Sequence, residues 1–248
     1  MDKNKFEYVL RLADDALIIG QRLGEWCGHG PILEQDIALT NIALDLIGEA
    51  RTYYQYLATT EGKLEDDYPM LRNERQFKNV LLVEQPNGHW GDTIVRQFLF
   101  DCWHYYHLEA MQASTDETLA AIAAKSIKEA RYHLTFSSEW IIRIGDGTEE
   151  SHEKIQESLV HLMPFFDEMF EPAAYEITCN KLNVSPDLSL IKQKATAKVK
   201  EITEEATLVL PSDYFARKGG KTGFHSEYLG HLLTDMQYLQ RAHPNAIW

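Results

Sequence analysis

Cysteine is scarce in this chain. Three stand among 248 residues, Cys27, Cys102 and Cys179, with no Cys-x-x-Cys spacing. That pattern excludes a zinc ribbon and a redox dithiol and leaves reduced thiols, the state expected in the cytoplasm. Apolar runs are short, Ala16 to Ile19 among them, and Asp14 and Asp15 interrupt any would-be signal core. Nothing approaches the ~20 apolar residues that cross a bilayer, so no membrane partner is expected. Positive charge is also in deficit: Lys and Arg total 24 against 38 Asp and Glu, a formal charge of −14. Such a field repels phosphate backbones, so no nucleic-acid partner is expected either. A more basic protein partner, or a local basic patch for an anionic cofactor tail, fits it. Neither Gly28-His29-Gly30 nor Gly219-Gly220-Lys221 has the strand-before, helix-after setting of a phosphate loop, and no Gly-x-Ser-x-Gly elbow appears.

What is present is helical periodicity. With 44% apolar residues the chain can bury a large core. Phe6, Val9, Leu10, Ala13, Leu17, Leu23 and Trp26 form one stripe, ended by Gly28-His29-Gly30-Pro31. Further helices are predicted from about Leu33 to Thr59, Asp92 to Met111, and from the cap Ser114-Thr115-Asp116-Glu117 to Gly145. The roughly thirty residues between the second and third make a crossover of the kind a bundle needs. Beyond Gly147 the pattern predicts a helix over Ser151–Glu176 kinked at Pro164, another over Leu188–Leu208, and a last over Ser226–Arg241. The fold class is all-α: one domain over residues 1–248, a four-helix core at about 5–146 and additional C-terminal helices at about 150–241.

Two of these helices repeat a four-residue skeleton, Glu49-Ala50-Arg51-Thr52 and Glu129-Ala130-Arg131-Tyr132. Bundles that hold two irons use Glu-x-x-His on each of two helices, because residues three apart share a face. Here Thr52 and Tyr132 occupy the histidine places. On the second helix Asn41, Asp45, Glu49 and Thr52 share a narrow polar sector in an otherwise apolar wheel. The stripe is expected to face the bundle interior, the alternative being a thin solvent-facing strip. The third helix sets Gln97, Asp101 and His104 in one sector, and the fourth offers Glu129 and His133 at i, i+4. A di-iron site needs about four carboxylates and two histidines. Glu49, Asp101, Glu129, His104 and His133 fall short of that, so these residues with Thr52 and Tyr132 read as a degenerate, hydrogen-bonded metal site. No catalytic residue and no metal or other cofactor is assigned to the chain itself. The buried carboxylates require cations, which Arg51, Arg131, Lys125 and His133 are placed to supply.

Five segments, in order along nearly the whole chain, resemble one family: Gln21–His29, Glu74–Phe77, Leu81–Gly88, Lys128–His133 and Met236–Arg241. The family is the C subunit of ring 1,2-phenylacetyl-CoA epoxidase, a multicomponent monooxygenase. The resemblance implies a ferritin-like fold and a structural, non-catalytic role in aerobic phenylacetate degradation. It implies a catalytic A subunit as partner, with the di-iron centre in that partner, together with the reductase and the other subunits of the complex. It implies phenylacetyl-CoA at or near the subunit interface, contacted by Gln76, Phe77, Lys78 and Asn79 and by a second region at Ile177, Thr178 and Cys179. Lys78 would pair with a phosphate and Phe77 would offer a stacking face. Whether the lone chain forms a homodimer stays open. The rival readings are a self-sufficient di-metal carboxylate oxidase using Glu49, Asp101, Glu129, His104 and His133, and a homo-oligomeric helical binding module.

Overall fold

The computed structural model describes residues 1–244 and 246. Among these there is no strand, and four helices are long: α1 Lys3–Gly24, α2 Leu33–Glu61, α5 Trp90–Met111 and α6 Glu117–Gly145. Between α2 and α5 the crossover holds α3 Asp67–Leu71, a 3₁₀ turn at Glu74–Gln76 and α4 Leu81–Glu84. After α6 come α7 Glu149–Leu162, α8 Ala174–Lys181, α9 Leu188–Glu205 and α10 Glu227–Ala242.

α1 packs along α2, α5 along α6, and α2 meets α6, which closes the four-helix core. α7 and α9 cover α5 and α6, α8 lies on α1, and α10 rests on the crossover. One continuous apolar cluster runs from Tyr8 to Leu233. The architecture is an all-α, ferritin-like bundle with C-terminal helices laid over it, as the periodicity and the resemblance predict.

Local chemistry explains the boundaries. Asp2 caps α1 by accepting from the Asn4 amide at 2.9 Å. Asp116 caps α6 alone, accepting from the amides of Thr118 and Leu119 at 3.1 Å each. The predicted Ser114–Glu117 box is not formed. Ser114 Oγ donates instead to the Val184 carbonyl at 2.7 Å. Asp116 also ties helices together. Its Oδ2 accepts from Lys5 Nζ and from the Tyr56 hydroxyl, both at 2.7 Å, joining α1, α2 and α6 at one end of the bundle.

The predicted helix over Ser151–Glu176 is corrected. It ends at Leu162 and gives way to two 3₁₀ turns, Met163–Phe165 and Asp167–Phe170, before α8 begins at Ala174. Pro164 stops the helix rather than kinking it, because proline offers no amide to continue the ladder. Arg217 N donates to the Pro164 carbonyl at 2.7 Å, fixing the stop to the coil that precedes α10.

Candidate functional site

The polar sectors of α2, α5 and α6 converge in the bundle. His104 Nε2 lies 3.0 Å from Glu49 Oε1 and donates to it, joining α5 to α2. His133 Nε2 lies 3.1 Å from Asp45 Oδ2, joining α6 to α2. Asp101 accepts from Gln97 Nε2 at 2.7 Å and from Ser137 Oγ at 2.8 Å. Glu49, Asp101, His104 and His133 are all buried, whereas Asp45 is half-buried. The stripe on α2 is therefore inside only at Glu49: Asn41 at one end is exposed, and Asp45 and Thr52 are half-buried.

Electrostatics follow from that geometry. Burial pushes the Glu49 carboxyl up, but the charge and hydrogen bond of His104, and His133 farther off, outweigh it and hold Glu49 below its ordinary value. Burial disfavours the His104 imidazolium, yet Glu49 raises its pKa above the usual histidine range. Asp101 has no such cation in contact, and burial pushes it up to about 6 against the weaker pulls of His133 and Ser137. Burial and the neighbouring Asp45 also raise Glu129, which is half-buried.

The two histidine-position residues take no part in such pairs. Thr52 Oγ1 donates to the Gly48 carbonyl one turn back at 2.9 Å, and Tyr132 is 50% exposed. A di-iron centre needs inward-pointing ligands free to bind. Here both buried imidazoles are engaged with carboxylates, Asp101 is bound by a serine and an amide, and the fourth-helix tyrosine points outward. Among the described residues no group of three or more His, Cys, Asp or Glu side chains is placed to hold a metal ion. The residues present do not fit a di-iron set.

The expected cations are partly corrected. His133 does serve, but Arg51 is exposed and pairs with Glu65 at 2.7 Å. Arg131 is exposed over the Tyr105 ring, and Lys125 is exposed too. For the two arginines the reason is helical: a residue two places after a glutamate lies about 200° round the axis, on the opposite face. Lys125, one turn before Glu129 on the same face, does pull the Glu129 carboxyl down.

Sequence reasoning missed a second set of buried carboxylates, which fixes the crossover. Asp14 accepts from the Tyr54 hydroxyl at 2.6 Å, from the Lys78 amide at 2.8 Å and from both terminal nitrogens of Arg72. Asp15 accepts from the Val80 amide at 2.8 Å, and Glu168 from the Leu81 amide at 2.7 Å. Glu84 accepts from Asn79 Nδ2 at 3.0 Å, from His225 Nδ1 at 2.8 Å and from the Ser226 amide at 2.6 Å. From the other side the loop at Gly219–Gly223 closes on the segment. A Cβ on Gly220 would collide with the Asn79 carbonyl, and Gly223, at φ +84°, passes as closely over the Arg75 carbonyl. The signal in the sequence was the pair Asp14-Asp15 itself: neighbours ~100° apart on a helix whose flanking residues are apolar.

This anchoring decides what Gln76, Phe77, Lys78 and Asn79 present. Phe77 is fully buried beneath the Arg72 guanidinium, 4.1 Å from its ring centre, so the expected stacking face is covered. Asn79 is buried on Glu84. Gln76 and Lys78 line a groove of about 690 Å³ between α1 and α3, beside Arg72 and Arg75. Ile177 is exposed and lines a separate pocket of about 300 Å³. Thr178 Oγ1 donates to the Ala174 carbonyl at 3.2 Å, and Cys179 is buried. The two segments line cavities with no residue in common.

Between the bundle centre and α8 lies a buried ionic cluster. Arg11 Nε sits 2.9 Å from Asp15 Oδ2 and the guanidinium covers the Trp103 ring at 4.4 Å. Lys221 Nζ is 3.0 Å from Glu176 Oε2. Tyr8 donates to His107 Nε2 at 2.9 Å, and burial with the Arg11 charge keeps His107 far below the usual histidine pKa. His104 and His107 thus each engage one partner through Nε2 while the buried Nδ1 of each has none, and their environments push their pKa values in opposite directions.

Comparison with known proteins decides the family. All of residues 1–248 match the family described as Phenylacetic acid catabolic protein. The chain belongs to that family. It is also 46% identical, over 242 residues, to the C subunit of the 1,2-phenylacetyl-CoA epoxidase of Escherichia coli (strain K12), covering 97% of this chain and 98% of that protein. Likeness of that extent leaves no room for an unrelated module grafted onto a shared fold. No helix among the described residues is long and apolar enough to cross a membrane.

Proposed function

We infer that this chain is the C-type member of a 1,2-phenylacetyl-CoA epoxidase, a structural component of a heteromeric monooxygenase whose di-iron centre sits in an A-type partner. The observation that carries this reading is the end-to-end likeness to an epoxidase C subunit, 46% identical with almost no residue left over on either chain. The chemistry of the bundle centre supports it. Where an iron cradle would need free ligands, Glu49 and His104 bind each other, His133 binds Asp45, and Thr52 and Tyr132 stand at the missing imidazoles. A self-sufficient di-metal oxidase is not favoured, because among the described residues no third ligand converges on either carboxylate–histidine pair.

In this role the polar centre stabilises the bundle, and the anchored crossover offers its groove to the CoA ester. Lys78 and Arg75 bring positive charge to the groove of an acidic protein, the complement of a phosphate-bearing CoA tail. The expected compartment is the cytoplasm, where three thiols remain reduced. The test is co-purification with the A-type chain from phenylacetate-grown cells, followed by iron assay on each separated chain. The expected result is iron on the partner and none on this chain. About two irons per copy of this chain, with a reducible di-iron spectrum, overturns the reading. Recovery without any second ferritin-like chain refutes the partnership.

A further inference from the structure

His225 faces an oxygen through each of its ring nitrogens. Nδ1 lies 2.8 Å from Glu84 Oε2, and Nε2 lies 3.0 Å from the Phe77 carbonyl. The imidazole is 3% exposed and the Glu84 side chain not at all, so bulk solvent replaces neither partner. A carbonyl oxygen only accepts. Glu84 is an acceptor here as well, for Asn79 Nδ2 at 3.0 Å and for the Ser226 amide at 2.6 Å. A neutral imidazole has one N–H and one lone pair, so either tautomer turns a lone pair on an oxygen. Only the imidazolium donates both ways.

The two acceptors belong to the crossover, and His225 belongs to the strap 219–226 that closes over it and leads into α10. Gly220 and Gly223 of the strap already press on the Asn79 and Arg75 carbonyls. Phe77, whose carbonyl is held, stands between Gln76 and Lys78, two residues of the groove beside Arg72 and Arg75. The charges around the ring come from every element that packs on it. Glu84 of α4 is in contact, and Asp14 of α1 lies beyond, paired with Arg72. Arg22 of α1 donates to the Glu84 carbonyl at 2.9 Å, and Glu74 and Arg75 flank a recess of about 100 Å³ shared with His225. Burial opposes a charge on the ring, but Glu84, the Phe77 carbonyl and Asp14 outweigh it and hold His225 above the usual histidine range.

We propose that His225 is a proton-operated latch: protonated, it fastens the strap to the crossover; deprotonated, it lets go of the Phe77 carbonyl and loosens the groove wall that carries Gln76 and Lys78. The neutral ring keeps its proton on Nδ1, where the carboxylate makes the stronger, charge-assisted bond. The Nε2 lone pair then meets the carbonyl oxygen in a buried site, and the contact becomes repulsive. The latch is therefore complete below pH 6.5 and is lost as pH rises through the raised value. It borders the groove assigned to the CoA ester, but it concerns the chain alone, so its test uses no ligand and stands apart from that assignment.

NMR titration of the ¹⁵N-labelled histidine rings of the full chain, with amide hydrogen exchange followed from about pH 6 to about pH 9 and corrected for intrinsic rates, tests it. At the acid end both ring nitrogens of His225 are expected to carry protons, and the ring should titrate with a midpoint above 6.5. Across that midpoint the amides of residues 75–80 and 223–229 should lose about fivefold more protection than those of α9. His225→Gln has no ring to titrate. It identifies the resonance, should keep the wild-type circular dichroism, and should abolish the pH step in exchange. A His225 ring that is neutral at pH 6, a wild type with no step in these two segments, or a step that persists in His225→Gln overturns the proposal. The first two measurements use the wild type alone, so they decide it even if the variant fails to fold.

Discussion

The molecule holds two sets of buried carboxylates that do different work. At the bundle centre Glu49 and Asp45 meet imidazoles, and Asp101 meets neutral donors. Around the crossover Asp14, Asp15, Glu84 and Glu168 meet backbone amides, with Arg72, Arg11 and His225 adding charge at the first three. A carboxylate that binds a second titratable group yields a contact that depends on pH. A carboxylate that binds amides closes a loop and satisfies donors that have no ladder of their own. The first set occupies the place where other ferritin-like bundles keep metal. The second has made the crossover a fixed surface. The lesson is that carboxylates and imidazoles at the bundle centre satisfy one another across helices, while the rigidity of the crossover is supplied by a separate set.

The largest effect should come from the crossover. Asp14→Asn removes the charge facing Arg72 and an acceptor for the Lys78 amide, inside a site with no exposure of the carboxylate. Breaking such a buried pair costs about 3–5 kcal/mol. Urea unfolding of the isolated chain measures it, and proteolysis near residues 72–80 should accelerate. A loss below that of the bundle-centre variants would erase the distinction between the two sets.

Glu49→Gln should cost less, about 1.5–3 kcal/mol, since a hydrogen bond to one charged group is weakened while His104 stays. The pH dependence has a definite sign. Glu49 lies below its ordinary value of 4.5 in the fold, so its contribution is present above pH 4.5 and is lost as pH falls through the lowered value. His104 lies above its ordinary 6.5, so its contribution is complete below pH 6.5 and is lost as pH rises through the raised value. The difference between wild type and variant should therefore peak between pH 4.5 and 6.5. A difference that is flat from about pH 4 to 9 contradicts the pairing. The His104 resonance in a histidine NMR titration should move down in the variant.

Asp101→Asn sharpens the comparison within the bundle centre. Asp101 titrates at about 6 in the fold against an ordinary 3.8, so the fold prefers it protonated. Its stabilising contribution is complete below pH 3.8 and is lost as pH rises through about 6. Asparagine cannot ionise, and its amide can donate to the unpartnered Oε1 of Gln97. Relative to wild type the variant should gain roughly 1–2 kcal/mol between about pH 4 and pH 7. Thermal denaturation across that range checks it, and a relative loss would show that the aspartate is held ionised by a cation.

Much of this was legible in the residues. Helices with an apolar stripe and a cap were placed to within a few residues, because the 3.6-residue period repeats over several turns of α1, α2, α5 and α6. The stop at Pro164 was misread because an apolar pattern, Leu162 to Phe170, continues past it in 3₁₀ turns. Glu49, Asp101 and His104 stood out as polar side chains in apolar helices. The pairs they form across helices did not. His104 meets Glu49 from 55 residues away and His133 meets Asp45 from 88. Spacing along one helix gives a face, but not the height at which a neighbouring helix presents its own residue. The crossover was opaque for a related reason: its anchors Asp14, Glu168 and His225 come from three distant parts of the chain.

Lys78→Ala gives the smallest effect on the fold and tests what the fixed face is for. The Lys78 amide, not its side chain, is what Asp14 holds, so truncation leaves the anchor intact and stability should stay within about 0.5 kcal/mol. If the groove beside Arg72 and Arg75 receives the phosphate-bearing tail of the CoA ester, removing one cation lowers affinity without touching the reaction in the partner. In a reconstituted complex KM for phenylacetyl-CoA should rise several-fold while kcat holds, and the rise should shrink at high salt as the charge is screened. An unchanged KM takes Lys78 out of the substrate path. A fall in kcat alone would mean that the crossover acts on the partner's catalytic geometry, and that the second set of carboxylates serves assembly rather than binding.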